Sequence, residues 1–132
     1  MKNEELISLA NSAKNKSYSP YSKFRVGAAL LTKDGKVFQG ANIENAAYSV
    51  TICAERTAAF AAKLEGITEF SKIAVTSDSN DYIPPCGACR QVLMELCGEE
   101  LEVIITNGQG EIKEFKLKEL LPFSFGDKNL NG

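Results

Sequence analysis

Three cysteines and one glutamate in this chain have the types and spacing of a metal-centred hydrolytic site. Cys86 and Cys89 stand three apart in Pro84-Pro85-Cys86-Gly87-Ala88-Cys89. At that interval two thiolates on one helical turn face the same way and can grip a single ion. Cys53, well upstream in Cys53-Ala54-Glu55-Arg56, can supply a third sulfur. The chain has no histidine, so nothing offers a fourth ligand of comparable quality. Three protein ligands and an open position are the arrangement of a catalytic zinc rather than a structural one. Glu55 sits two residues past Cys53, close enough to reach the open position without ligating. A carboxylate beside a metal-bound water is what hydrolytic chemistry needs.

The elements that must position these residues follow from periodicity and turn signals. Leu6, Leu9, Ala10 and Ala13 recur at helical spacing and predict an amphipathic first helix over about 3–16. Serines and Pro20 make 17–22 a connecting loop. Residues 24–31 read as a strand covered on both faces. The Asp34-Gly35 turn then returns an antiparallel partner over 37–41. After an irregular, polar approach over 42–50, an alanine-rich helix spans about 52–64 and stops at Gly66. Residues 72–76 form a short buried strand, and 77–85 a loop whose prolines delay the next helix, over about 87–96, until Gly87. Strands over 101–106 and 111–117 follow, with a turn at 107–110 and a short last helix near 118–121. The order α-β-β-α-β-α-β-β implies a mixed five-stranded sheet, parallel in its middle and extended at one side by the opening hairpin. Both ligand clusters fall at helix starts, where free N–H groups and partial positive charge favour thiolate.

The length of 132 residues predicts one domain, 1–132, without repeats or low-complexity segments. Hydrophobic residues at 44% and charged residues at 24% place it among ordinary globular proteins. A net charge of −2 lacks the basic excess of a protein that holds long nucleic acid, which favours a small-molecule substrate. No apolar run approaches the ~18–20 residues that span a bilayer, and residues 1–16 show no export signal. With a Cys-x-x-Cys pair, metal ligation in a reducing cytoplasm is then expected, rather than disulfides.

The chain resembles the small homotetrameric zinc-dependent cytidine deaminases that act on free nucleosides in pyrimidine salvage. The resemblance is carried by Tyr18-Ser19-Pro20-Tyr21-Ser22-Lys23-Phe24, Val26-Gly27-Ala28-Ala29, Asn42-Ile43-Glu44-Asn45, Cys53-Ala54-Glu55-Arg56-Thr57-Ala58 and Pro85-Cys86-Gly87-Ala88-Cys89-Arg90-Gln91. It implies a three-layer α/β/α fold, one zinc per subunit on Cys53, Cys86 and Cys89, and Glu55 as the proton shuttle. It implies hydrolysis of cytidine and deoxycytidine to uridine and deoxyuridine. It also implies that Asn42 and Glu44 hold the ribose, chiefly its 3′-hydroxyl, and that Phe24 packs against the pyrimidine. The backbone around Ala54 and Cys86 would meet the base edge. Phe125 would close a neighbouring subunit's site, with Phe123 the nearby alternative.

Three thiolates give zinc a formal charge of −1, which acidifies its water less than three histidines would. Arg56, beside Glu55, and the two helix ends are expected to offset that charge; the matching arginine of the family hydrogen-bonds ligand sulfurs. Cys97 cannot complete a structural zinc knuckle, since eleven helical residues place it roughly 16 Å along the axis from Cys86. It reads as core, and Tyr18, Tyr21 and Tyr48 as packing or interface residues. Two other readings stay open. One is a related zinc deaminase of another amino-heterocycle, which Asn42-x-Glu44 disfavours. The other is a non-catalytic zinc-binding interaction module, which has no use for Glu55.

Overall fold

The computed structural model describes residues 1–126 and 129. Its elements run α1 (Asn3–Lys14), β1 (Val26–Thr32), β2 (Val37–Ala41), α2 (Ala54–Leu64), β3 (Phe70–Ser77), α3 (Gly87–Cys97), β4 (Glu102–Thr106), β5 (Ile112–Lys116) and α4 (Leu117–Leu120), with a single 3₁₀ turn at Tyr48–Val50. This is the expected order. The five strands form one mixed sheet in the order β2-β1-β3-β4-β5. Only β3 and β4 pair in parallel, across the crossover made by α3. β1 lies between β2 and β3, antiparallel to both, so the crossover through α2 steps over one strand.

Helices cover both faces. On one, Ala28 and Leu30 of β1 meet Ala58, Ala59 and Ala62 of α2, Leu93 of α3 and Ile73, Val103 and Ile105 of the sheet. On the other, Ala29, Leu31, Ala74 and Ile104 pack under Leu6 and Ala10 of α1. Alternation along β1 thus serves two cores, which is why the strand has no polar face. Full burial of each Leu or Ile contributes about 1.5–3 kcal/mol before chain entropy is set against it.

Glycines set how closely the layers approach. A Cβ at Gly40 in β2 would stand 2.3 Å from the Ala54 carbonyl oxygen of α2, and one at Gly27 in β1 would stand 2.1 Å from the Ala10 carbonyl oxygen of α1. The missing side chains let both helix backbones rest directly on the sheet.

Two boundaries differ from expectation for reasons outside local sequence. β1 begins at Val26 rather than at 24, because the Asn42 side chain takes the Phe24 carbonyl and the Val26 N–H away from any ladder. β3 extends from Phe70 to Ser77 because β1 supplies partners from one end to the other, with a single register shift at Ser71.

Candidate active site

Cys53 and Cys86 are the N-cap residues of α2 and α3, and Cys89 lies in the first turn of α3. Packing of the two helices side by side against the sheet brings their N-termini together. The Sγ atoms of Cys53 and Cys86 are 3.7 Å apart. Those of Cys86 and Cys89 are 3.3 Å apart. Two sulfurs on one tetrahedral zinc, at a Zn–S length of about 2.3 Å, would stand about 3.8 Å from each other. All three sulfurs lie within 4.8 Å of one another, and none is in a disulfide. The donor set fits one zinc ion. Among the described residues no other trio of His, Cys, Asp or Glu side chains converges in this way. Cys97 is free, packs at the edge of the larger core, and its thiol is pushed up to about 12 by burial.

Electrostatics within the trio follow from its crowding. The Cys53 thiol is pulled down to about 5, first by the neighbouring Cys89 thiol, then by Arg56 and Cys86. The proximity of Cys53, with burial, holds the Cys89 thiol well above its usual range. Arg56 Nη2 donates to Cys53 Sγ at 3.5 Å. Arg56 Nε is buried without a partner among the described residues, so this guanidinium spends its charge on the sulfurs.

Glu55 occupies the second position of α2 and is only 4% exposed. Burial pushes its carboxyl up to about 7, and the Cys53 thiolate adds to the shift. A buried carboxyl poised near neutrality beside a metal-ligand trio is suited to taking up and returning a proton.

Above these groups opens a cavity of about 250 Å³, whose walls include Phe24, Asn42, Glu44, Cys53, Ala54, Glu55 and Cys86. That size lies below the usual range of about 300–1,000 Å³ for drug-sized ligands and suits a small molecule. Three non-adjacent stretches are laced together to form it. Tyr18 N–H donates to Asn42 O at 3.0 Å and Glu44 N–H to Tyr18 O at 2.8 Å, while Ile43 and Ile52 exchange a pair of backbone bonds at 3.0 Å. Thr57 Oγ lies 2.9 Å from both the Ala41 and the Cys53 carbonyl oxygens, so it ties the end of β2 to the α2 N-cap.

The cytidine and deoxycytidylate deaminase zinc-binding region matches residues 1–105. The chain belongs to the cytidine and deoxycytidylate deaminase family. It is 51% identical over 131 residues to the cytidine deaminase of Halalkalibacterium halodurans, with 99% of each chain covered. The crystal structure of cytidine deaminase from Burkholderia pseudomallei superposes with a TM-score of 0.92 at 50% identity, covering 95% of this chain and 100% of that one. That from Mycobacterium tuberculosis gives 0.83 at 36% identity, covering 96% and 98%. The mixed sheet between two helical layers is therefore the cytidine-deaminase fold.

Most residues singled out from sequence meet in this deaminase cavity. Asn42 and Glu44 do so while also bonding to the 17–26 segment. Asn42 Nδ2 donates to Phe24 O at 2.8 Å and its Oδ1 accepts Val26 N–H at 2.9 Å, together with the Ser17 hydroxyl. Glu44 Oε1 accepts the N–H groups of Tyr21 at 3.0 Å and Ser22 at 3.1 Å. Phe125 does not line this cavity; it is 57% exposed, and its carbonyl accepts from Gln91 Nε2 at 2.8 Å. Phe123 is fully exposed. Tyr18, Tyr21 and Tyr48 are exposed as well. Sequence reasoning missed the wall residues Ser22, Thr51, Ile52, Val75, Ile83 and Pro84. The loop members among these carry no periodic signal, and Val75 reads only as strand interior. Arg90 was also missed: its Nε donates to Pro85 O at 2.7 Å and its Nη1 to Leu120 O at 2.8 Å, bracing the approach to Cys86 against the C-terminal segment.

Proposed function

We propose that this deaminase converts cytidine and deoxycytidine to uridine and deoxyuridine, with water consumed and ammonia released, in pyrimidine salvage. The observation that carries the reading is the buried Glu55 at the floor of a small cavity, beside three convergent sulfurs, with Asn42 and Glu44 in the same wall. Zinc held by Cys53, Cys86 and Cys89, when bound, supplies a Lewis acid that lowers the pKa of water and so makes a nucleophile at neutral pH. Glu55 accepts the proton that water gives up as oxygen attacks C4 of the pyrimidine, and delivers it to N3. It then takes the proton of the new C4 hydroxyl and passes it to the departing amino group, so that the C4 carbonyl forms as the C–N bond breaks and ammonia leaves. The Arg56 guanidinium offsets the charge of the three thiolates. The open first turn of α2 at Ala54 offers backbone N–H groups to the base edge, and Phe24 lies against its side.

Counting hydrogen-bond capacity supports a sugar hydroxyl at the far end. Both lone pairs of Asn42 Oδ1 and one Nδ2 hydrogen are engaged, which leaves one N–H. Glu44 Oε1 is filled by two backbone donors and Oε2 holds the Ser22 hydroxyl, which leaves one acceptor site on Oε2. One donor and one acceptor match one hydroxyl. The Glu44 carboxyl is held below its ordinary range by the Ser22 hydrogen bond, and its charge disfavours a substrate phosphate. The net charge of −2 gives no general attraction for a polynucleotide.

A homotetramer in the cytoplasm, with Phe125 of one subunit closing the site of the next, completes the proposal. Exposed Phe60 and Leu64 on α2, with Tyr48 and Val50 near the cavity, provide apolar surface that such an assembly would cover. Among the described residues no helix is long and apolar enough to cross a membrane. The test is ammonia release by the zinc-loaded protein from cytidine, deoxycytidine, CMP, adenosine and guanine. Turnover of the two cytosine nucleosides alone is expected. Activity confined to another member overturns the sugar-binding assignment, and inactivity on all five with zinc bound overturns the reaction.

A further inference from the structure

Residues 17–25, which carry Phe24 to the cavity, lie outside the sheet and are held in place by hydrogen bonds from two side chains of the opposite wall. Asn42 holds the two ends, at Ser17 and at Phe24–Val26. Glu44 holds the middle, at Tyr21 and Ser22. Ser22 is where these holds meet. Its hydroxyl donates to Glu44 Oε2, and Ser22 Oγ in turn accepts the Phe24 N–H at 3.0 Å. A continuous run therefore leads from the Phe24 backbone through the Ser22 hydroxyl to the Glu44 carboxylate. Lys23, between them, has φ 61°, a left-handed bend uncommon for a side chain of this kind. Residues 22 and 24, on either side of it, both line the cavity.

We propose that Ser22 is a positioning residue that fixes the direction of the Glu44 carboxylate and through it determines how strongly the cavity selects for a sugar hydroxyl. The proposal rests on the nucleoside reading given above. Glu44 Oε1 is fixed by two backbone N–H groups. Oε2, the oxygen with spare capacity, is fixed only by the Ser22 hydroxyl among the described residues. Without that bond the carboxylate turns about its own axis, and the lone pair offered to a ligand loses its direction. A site that hydrogen-bonds a hydroxyl discriminates by holding its partners in place before the ligand arrives. The reacting groups at Cys53 and Glu55 hang from α2 and do not depend on this run. Phe24 keeps the hydrogen bond that its carbonyl accepts from Asn42 Nδ2, so the loss is confined to sugar recognition.

The test compares the zinc-loaded wild type, Ser22→Ala and Ser22→Thr on cytidine and on 3′-deoxycytidine. Ser22→Ala raises KM for cytidine about tenfold, the equivalent of one hydrogen bond, and leaves kcat within about threefold. Its kinetics on 3′-deoxycytidine stay within about twofold of wild type, so the preference between the two substrates falls about tenfold. Ser22→Thr, which keeps the hydroxyl, restores most of that preference. Equal losses on both substrates would mean general collapse of the segment and would overturn the proposal, as would an unchanged preference in Ser22→Ala. Wild-type protein that ignores the 3′-hydroxyl, or leaves both nucleosides intact, shows instead that the sugar or nucleoside reading is wrong, and Ser22 loses its role with it.

Discussion

Gly40→Ala tests whether the sheet sets the geometry of the site. The new Cβ would stand 2.3 Å from the Ala54 carbonyl oxygen and 2.6 Å from the Ala58 nitrogen, where ordinary contact begins near 3.4 Å. Both are backbone atoms of α2, and neither can swing aside as a side-chain tip could. The first turn of α2 must then retreat by about 1 Å, carrying Cys53, Ala54 and Glu55 with it. Overpacking of this kind costs about 1–3 kcal/mol of stability. A displacement of about 1 Å at reacting groups costs up to about 100-fold in rate. Gly27→Ala is the matched control, since its Cβ would stand 2.1 Å from the Ala10 carbonyl oxygen and 2.6 Å from the Lys14 nitrogen, on the opposite face and away from the site. Urea denaturation and kcat/KM on cytidine are measured for both variants. Comparable losses of stability are expected, with kcat/KM reduced about 100-fold in Gly40→Ala and less than about threefold in Gly27→Ala. A folded Gly40→Ala with wild-type turnover, or equal losses of activity in the two variants, would refute the reasoning.

Glu55→Gln keeps the zinc and loses at least about 10²–10⁴-fold in turnover, because the amide cannot move the proton; zinc content and ammonia release measured together check this. The same variant is informative without metal. The Glu55 carboxyl sits at about 7 when folded against 4.5 ordinarily, so its contribution is fully present below 4.5 and lost as pH rises through 7. After chelation, Glu55→Gln should therefore be more stable than wild type by up to about 3 kcal/mol at pH 8 and show little advantage near pH 4.5, read from urea midpoints. Arg56→Ala removes the donor to Cys53 Sγ and should weaken turnover, zinc retention or both; unchanged kinetics with full zinc content would remove the charge-offset role. Zinc loading of metal-free protein at pH 7 should release at least one proton, from Cys89, whose thiol is held high, while Cys53 is already thiolate. Apparent zinc affinity then rises about tenfold per pH unit for each proton released, measurable by calorimetry in buffers of different ionisation heat.

Much of the chemistry was legible in the chain because it is local. Cys86 and Cys89 share one helical turn, Glu55 follows Cys53 by two residues, and Asn42 and Glu44 alternate at a strand end. Such relations survive in any fold that keeps the element. The element order was legible for the same reason: hydrophobic period and turn residues act over a few residues. The intervals alone could show that three sulfurs were available, but not that they converge within 4.8 Å.

That convergence belongs to tertiary structure. It needs α2 and α3 to dock side by side, and Gly40 allows the α2 backbone to lie against β2. The start of β1 at Val26 was decided by a side chain sixteen residues away, since Asn42 took the Phe24 carbonyl and Val26 N–H out of the ladder. Glu44 likewise turned from a strand-end carboxylate into the anchor of Tyr21 and Ser22. Ser22 itself was invisible among the serines of a loop, where one hydroxyl looks like another until a partner is placed beside it. Arg56 shows the same division. Its position next to Glu55 was plain in the sequence, but only the folded chain aims its guanidinium at the Cys53 sulfur and buries its Nε. Periodicity specifies which neighbours a residue has within its own element; contacts between elements depend on how closely backbones can approach, and no local pattern carries that distance.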